Sequence, residues 1–275
     1  MYDTFYGFRE RPFSLLPDPS FRFPGRQFRM AYSLLSYAVV SKAGLAVFTG
    51  EVGCGKTTLI RQLLNQLTQR VTVGLITNTA NMQENLLKRV MLAFGQDYRG
   101  KELIELYEAL EHFLIAEYAR GQHTILIVDE AQNLSIETLE ELRLFSNINA
   151  DKDQILQLLL VGQPQLKDKL DQPELQQLAQ RVVVSYHLKP LNARETPIYV
   201  QYRLRHAGGN PALFTNAALT LIHEHSGGIP RLINVLCDMA LVYGYSERAT
   251  TIEASLVQAV IHDRKGERLP APSQA

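Results

Sequence analysis

The amino-acid sequence predicts an α/β fold, in which a five-stranded parallel sheet is sandwiched by helices and followed by a small all-α domain. Three observations support this prediction. Near residue 50 a glycine-rich loop stands between an apolar run and a segment with helical spacing. Further apolar runs alternate with helical segments as far as Pro190, which is typical of parallel sheets. Beyond Pro190 the apolar residues keep helical spacing only.

The expected strands are short and rich in branched apolar residues, which suits strands that are buried on both faces. They are residues 45–49, 71–76, 124–128, 155–161 and 182–188. Helices of the same domain are expected at residues 26–42, 58–69, 81–94, 101–120, 135–147 and 173–181. Helices of the all-α domain are expected at residues 192–206, 215–225, 230–245 and 253–263.

The glycine-rich loop fits G-x-x-x-x-G-K-[ST], the phosphate-binding loop of nucleotide hydrolases. The candidate nucleotide-binding residues are Gly50, Glu51, Val52, Gly53, Cys54, Gly55, Lys56, Thr57 and Thr58. Glycines let backbone amides point at a phosphate, and the following helix adds partial positive charge. We expect Lys56 to reach the β- and γ-phosphates of ATP and the Thr57 hydroxyl to ligate Mg²⁺. The flanking strand and helix disfavour a chance match in a glycine-rich turn.

Two adjacent carboxylates, Asp129 and Glu130, directly follow the third expected strand. Parallel strands deliver the residues after their carboxyl ends to the crevice where ligands bind. We therefore expect Asp129 to hold Mg²⁺ or its waters, and Glu130 to act as the general base on the water that attacks the γ-phosphate. Turns after strands are often acidic, so the pair indicates this function only together with the phosphate loop.

Three other polar residues each have a functional and an ordinary interpretation. Gln163 follows the fourth expected strand, where it would contact the attacking water or the γ-phosphate, or would be a turn residue. Arg231 stands at a helix start, where the helix dipole gives a cation no benefit; it would contact phosphates or only solvent. Arg181 ends a helix, either as a finger towards a neighbouring subunit's nucleotide or as a surface residue.

Composition argues against several classes of protein. The chain has 28 basic and 28 acidic residues, so a surface that coats nucleic acid is not indicated. Cys54 and Cys237 do not form a metal-ligand spacing. The position of Cys54 in the phosphate loop fits a reducing compartment. Cys54 is there either simply as a small residue or as a redox switch. No run approaches the ~20 apolar residues of a membrane helix, and no signal peptide is apparent.

These features divide the chain into four expected parts. Residues 1–25 are rich in aromatic residues and proline and are expected to form an extended strap over the nucleotide-binding domain. There it would cover the adenine ring or would simply close the core. Residues 26–190 form the expected nucleotide-binding domain, residues 191–263 the helical lid, and residues 264–275 a flexible tail.

Several sequence elements resemble the AAA+ ATPases of the ExeA/GspA type, over residues 1–260. They are FSLLPDP (13–19), GEVGCGKTT (50–58), DEAQNL (129–134), LEELR (139–143), VGQP (161–164) and GGIPRLIN (227–234). The resemblance implies a P-loop NTPase of the AAA+ class that hydrolyses ATP with Mg²⁺ and assembles into a ring or dimer. It also implies that Gln163 is the first sensor, Arg181 the arginine finger and Arg231 the second sensor.

Relatives of that family accompany type II secretion, MSHA pilus biogenesis and exosortase-linked exopolysaccharide loci. The resemblance therefore implies a cytoplasmic ATPase, at the inner face of the inner membrane, that assembles or remodels an envelope secretion or export complex. Longer members continue into a membrane helix and a periplasmic peptidoglycan-binding domain. This chain is either a short member or a part of a longer one, so membrane contact would be indirect or through a segment it lacks.

Two alternative functions stay open. The first is a DNA-associated helper ATPase of the transposition type, which shares much of the motif pattern. Balanced charge and the lack of a winged-helix-like segment after the lid disfavour this alternative. The second is a scaffold that binds ATP in order to assemble but hardly turns it over.

Overall fold

The computed structural model describes residues 1–15, 23–68, 70–77, 79, 86–150 and 153–266. The strands are β1 (Leu45–Gly50), β2 (Val71–Ile76), β3 (His123–Val128), β4 (Asn149–Ala150), β5 (Asp153–Gln154), β6 (Leu156–Gly162) and β7 (Val182–Leu188). The helices are α1 (Tyr2–Phe5), α2 (Arg26–Val40), α3 (Lys56–Gln66), α4 (Leu86–Ala93), α5 (Leu103–Ala119), α6 (Ile136–Phe145), α7 (Gln165–Leu170), α8 (Gln176–Ala179), α9 (Glu195–His206), α10 (Asn216–Ser226), α11 (Pro230–Ser246) and α12 (Ala254–Gly266). Short 3₁₀ turns occupy Ala131–Asn133 and Pro173–Leu175.

Five strands form one parallel sheet in the order β2-β3-β6-β1-β7. All residues of β1 and β6 are buried, as are all residues of β3 except the first. Continuous burial of this kind requires cover on both faces of the sheet. The predicted five-stranded parallel sheet is therefore confirmed, and the carboxyl ends of β3, β6 and β1 lie side by side.

Each face of the sheet has its own packing. On one face, Leu126 and Leu158 belong to a core with Leu106 and Leu110 of α5 and with buried residues of α4, α6, α7 and α8. Gln157 of β6 alternates with Leu158 and therefore points to the opposite face. Its Nε2 donates to two backbone carbonyl oxygens, that of Ala38 in the last turn of α2 at 2.9 Å and that of Ala43, just beyond this helix, at 2.7 Å.

Some elements differ from the prediction. The helices α1 and α7 and the two-residue hairpin of β4 and β5 were not expected from the sequence. The helix predicted at residues 81–94 is described from Leu86 onwards, and residues 81–85 lie outside the described residues. No helix in the described ranges has both the length and the apolar composition to cross a membrane.

The internal contacts divide the chain into two compact units. One unit holds the sheet and comprises residues 29–51 and the described residues of 59–188. The other comprises the described residues of 1–28, residues 52–58 and the described residues from 189 onwards. The predicted bounds of the strap, nucleotide-binding domain, lid and tail stay predictions, and residues 267–275 of the tail lie outside the described residues.

The second unit has an aromatic-rich core built on α9, α10, α11 and α12. Tyr2, Phe8 and Phe13 are buried in this core together with residues of all four helices. The expectation of an extended strap over the nucleotide-binding domain is therefore wrong for the described residues 1–15. Aromatic side chains require burial, but composition alone does not say which core they join.

Arg203 of α9 ties the N-terminal segment to the helices. Its Nε donates to the carbonyl oxygen of Pro12 at 2.6 Å, and its Nη2 donates to that of Ser14 at 3.4 Å. Its Nη1 donates to the Tyr199 hydroxyl at 3.1 Å. The residue is only 7% exposed, so these acceptors provide the hydrogen bonds that a buried guanidinium requires.

We expect Arg203→Met to lower the free energy of unfolding by about 2 kcal/mol, because it leaves buried carbonyl groups without their donor. Urea unfolding followed by circular dichroism measures this change. The matched control is Arg205→Met on the exposed side of the same helix, which should change stability by less than about 0.5 kcal/mol. Equal losses in the two variants would contradict the anchoring role of Arg203.

Candidate nucleotide-binding site

The glycine-rich loop connects β1, which ends at Gly50, to α3, which begins at Lys56. Gly53 and Gly55 have φ angles of +84° and +104°, which residues with a side chain rarely adopt. Apart from Gly55 itself and its two neighbours in the chain, no atom of the described residues lies within 4 Å of the position that a Cβ on Gly55 would take. A loop of this conformation at a helix start can present its backbone amides to an anion, so these residues fit a phosphate group.

Side chains of the loop differ in exposure. Cys54 and Lys56 are buried, at 6% and 7% exposed. Glu51, Val52 and Thr57 are exposed, and Thr58 is intermediate. Thr57 therefore lies on the solvent-exposed side of the loop, whereas Cys54 lies on its buried side.

Arg231 lies at the start of α11, next to the loop. Its backbone N–H donates to the carbonyl oxygen of Gly53 at 3.3 Å, and a Cβ on Gly53 would stand 2.6 Å from the Arg231 Cβ. The paired Gly227 and Gly228 before this helix have positive φ angles, which glycine adopts readily in a sharp turn. The structure thus places the backbone of Arg231 against the phosphate loop, and its role as second sensor stays a prediction.

The predicted carboxylates follow β3. Asp129 is 5% exposed, and its backbone N–H donates to the carbonyl oxygen of Ile76 at 2.8 Å. Its Oδ1 accepts from the backbone N–H of Glu130 at 2.9 Å. Glu130 has φ +56° and ψ +36°, a left-handed conformation that is uncommon for residues with a side chain. Strain of this kind is often found at functional sites.

Two glutamine side chains hold one carboxylate oxygen of Glu130. Gln132 donates from Nε2 to Glu130 Oε2 at 2.6 Å, and Gln163 donates from Nε2 to the same oxygen at 3.3 Å. The Oε1 of Gln132 accepts from the backbone N–H of Gln163 at 2.9 Å. The structure therefore brings Gln163 to the Glu130 carboxylate, with Gln132 between them, and the role of Gln163 as first sensor stays a prediction.

Residues that were not singled out from the sequence support this arrangement. Lys169 of α7 donates from Nζ to the carbonyl oxygens of Gln132 and Leu134, both at 2.7 Å. The hydroxyl of Thr79 donates to the carbonyl oxygen of Glu130 at 3.3 Å. Gly162 leaves room for Gln132, whose Oε1 would lie 2.8 Å from a Cβ at that position. The one available sequence signal was the position of Gln132 inside the Asp-Glu-Ala-Gln motif.

Arg181 is not joined to this network. It is partly buried at the start of β7, and its Nη1 donates to the Ser146 hydroxyl at 3.2 Å, at the end of α6. Among the described residues, Gln132 and Gln163 donate to the Glu130 carboxylate, and neither is a hydrogen-bond partner of Arg181. Its role as an arginine finger would require a neighbouring subunit and stays a prediction.

Comparison with known proteins gives matches over most of the chain. Residues 39–170 match a family model described as an AAA domain. The chain is 38% identical to general secretion pathway protein A of Aeromonas hydrophila. The match extends over 269 residues, which are 98% of this chain. The chain spans 49%, about half, of the length of that relative.

Two similar solved structures come from Aeropyrum pernix. One is the ORC2 protein in its ADPNP–ADP complexes, with a TM-score of 0.67 and 18% identity, covering 96% of this chain and 75% of that chain. The other is the ORC1 protein in complex with DNA, with a TM-score of 0.65 and 21% identity, covering 95% and 71%. At these identities the likeness shows the fold alone.

The parallel sheet, the glycine-rich loop and the matched domain together define an AAA+ protein. Within that class the chain is similar, over almost its whole length, to general secretion pathway protein A. The resemblance drawn from the sequence motifs is thereby confirmed.

We expect Lys169→Met to lower the free energy of unfolding by about 1–3 kcal/mol, because the carbonyl groups of Gln132 and Leu134 lose a charged donor. Thermal and urea unfolding measure the change. Lys167→Met is the matched control, since Lys167 is exposed on the same helix; it should change stability by less than about 0.5 kcal/mol. A Lys169 variant as stable as this control would show that the two hydrogen bonds contribute nothing.

Proposed function

We propose that this protein binds and hydrolyses ATP with Mg²⁺, and that the hydrolysis cycle assembles or remodels a bacterial envelope secretion or export complex. The observation that carries the enzymatic part is Glu130, a carboxylate in a left-handed backbone conformation whose Oε2 accepts two amide hydrogen bonds at the end of β3. The likeness to general secretion pathway protein A supports the part on secretion.

ATP binding rests on the loop of residues 50–58. The open space at Gly55 and the start of α3 at Lys56 support binding of phosphate groups by backbone amides. The Lys56 ammonium adds a full positive charge, which offsets the charge of the β- and γ-phosphates. Gly50 and Gly53 keep side chains out of the loop, and Thr58 adds a hydroxyl at its end.

Thr57 and Asp129 would hold Mg²⁺. A hydroxyl and a carboxylate provide the hard oxygen ligands that this ion prefers. The Asp129 carboxylate is oriented by the backbone N–H of Glu130 at 2.9 Å, so it fits a role as a fixed ligand. When bound, the ion neutralises charge that develops on the phosphate oxygens.

Glu130 would act as the general base. The carboxylate accepts a proton from the attacking water as the oxygen of that water approaches the γ-phosphorus. Gln163 would help to orient the same water, because its Nε2 already lies 3.3 Å from the Glu130 carboxylate. Its position at the end of β6 supports the assignment as first sensor.

The two arginines would report on the γ-phosphate. Arg231 has an exposed side chain, and its backbone contacts Gly53 of the phosphate loop, which supports a role as second sensor. Arg181 would act across a subunit boundary in a homo-oligomer, a ring or a dimer. Loss of the γ-phosphate would remove the partner of both cations and let the structure relax.

The proposed partners are proteins of the envelope secretion or export machinery. We place the protein in the cytoplasm at the inner face of the inner membrane, because the cytoplasm supplies ATP and the relative is named for a secretion pathway. Contact with the membrane would be indirect, or through a segment outside this chain. Nucleic acid is a less favoured partner, since basic and acidic residues balance at 28 each.

We expect Glu130→Gln to lower the rate of phosphate release by about 10²-fold or more, because the amide cannot accept the proton of the water. Binding of a fluorescent ATP analogue should stay within about threefold, because the phosphate loop is unchanged. The matched control is Glu174→Gln, an exposed carboxylate in the same unit, which should keep full activity.

Unchanged turnover in Glu130→Gln would remove this residue from its catalytic role. In a strain that lacks the protein, the wild-type gene should restore secretion and the Glu130→Gln gene should not. Restoration by both genes, with turnover lost in the variant, would favour an ATP-dependent scaffold instead.

A further inference from the structure

We propose that Gln132 is a positioning residue for hydrolysis. It holds the Oε2 atom of the Glu130 carboxylate, so that the other oxygen, Oε1, is the atom that accepts the proton of the attacking water. The inference rests on the proposed ATP hydrolysis and adds to it a named residue and a named oxygen.

The hydrogen bonds of Glu130 distinguish its two carboxylate oxygens. Oε2 accepts from Gln132 at 2.6 Å and from Gln163 at 3.3 Å. Within the described residues Oε1 has no hydrogen-bond partner. A carboxylate oxygen accepts about two hydrogen bonds along its lone pairs. The protein therefore occupies Oε2 and leaves Oε1 available for water.

A glutamine side chain meets the requirements of this position. It must donate to the Glu130 carboxylate and, from the same group, accept from the backbone N–H of Gln163, at 2.9 Å. A carboxamide has a donor and an acceptor at its end, and the two partners fix which way it points. Glutamate would place two carboxylates together, and asparagine is one methylene too short to reach both partners.

The surroundings make Gln132 rigid. The residue is 8% exposed and lies in the 3₁₀ turn Ala131–Asn133. Lys169 holds its carbonyl oxygen at 2.7 Å, and Gly162 allows its side chain to approach β6. A rigid bridge between the ends of β3 and β6 keeps the Glu130 carboxylate in one orientation, which is the requirement for an efficient base.

The chemical step assigns one role to each atom. The oxygen of water forms a bond to the γ-phosphorus, and the bond from that phosphorus to the bridging oxygen of ADP breaks. The proton of the water moves to Oε1 of Glu130 and is later released to solvent. Gln132 gains and loses nothing in this step; it only maintains the orientation of the acceptor.

A double-mutant cycle of the full chain tests the proposal. Gln132→Met keeps the side-chain volume and removes both hydrogen bonds. It should lower kcat about tenfold or more and change the KM for ATP less than about threefold. Combined with Glu130→Gln, it should lower kcat no further than Glu130→Gln alone, within about threefold, because no base is left to position.

The matched control is Gln157→Met, which removes another buried glutamine, one that lies within strand β6. Gln157 donates to the carbonyl oxygens of Ala38 and Ala43, so its replacement should lower stability and leave kcat unchanged. Gln132→Asn provides a second variant that keeps a polar group and should also lower kcat, by about fivefold or more. Circular dichroism establishes that each variant is folded.

Three results would overturn the proposal. Wild-type kcat in a folded Gln132→Met or Gln132→Asn would show that the bridge is not needed. If the effects of Gln132→Met and Glu130→Gln on kcat multiply in the double variant, Gln132 acts independently of Glu130. The proposed ATPase function would then stand. Unchanged turnover in Glu130→Gln alone would overturn the proposed base itself, so the two failures are distinguishable.

Discussion

Parallel pairing of the strands is the constraint on which the remainder of the structure depends. Because all five strands run in the same direction, their carboxyl ends lie at one edge. The order β3-β6-β1 then places Glu130 and Gln163 on neighbouring strand ends, although 33 residues separate them in the chain. The phosphate loop begins where β1, the next strand, ends at Gly50.

Polar contacts then give this edge a single arrangement. The left-handed conformation of Glu130 costs free energy, and contacts from Gln132, Gln163 and Thr79 offset this cost. A buried carboxamide that has both a donor and an acceptor partner specifies an orientation as well as adding stability. The same network that stabilises the edge therefore also orients the proposed base.

The amino-acid sequence was sufficient for the parts that local patterns determine. Apolar runs identified all five strands of the sheet, and the motifs identified the glycine loop and the Asp129–Glu130 pair. Strand order could not be read from these patterns, because β6 inserts between β3 and β1 through crossover connections. Gln132 and Lys169 escaped notice because the contacts of Gln132 with Gln163, and of Lys169 with the segment after β3, form only in the folded chain. The predicted location of the N-terminal aromatic residues was wrong for a similar reason. Their burial could be predicted from the sequence, but the core that they join could not.

We propose that the glycine-rich loop and the carboxylate after β3 bind the same magnesium nucleotide. The decisive experiment is a titration of the folded full chain with labelled ATP, with and without Mg²⁺. We expect saturable binding of one nucleotide per chain, tighter with Mg²⁺ and lost in Lys56→Ala. No saturable binding by well-folded protein, or binding that Lys56→Ala leaves unchanged, would rule out this shared site.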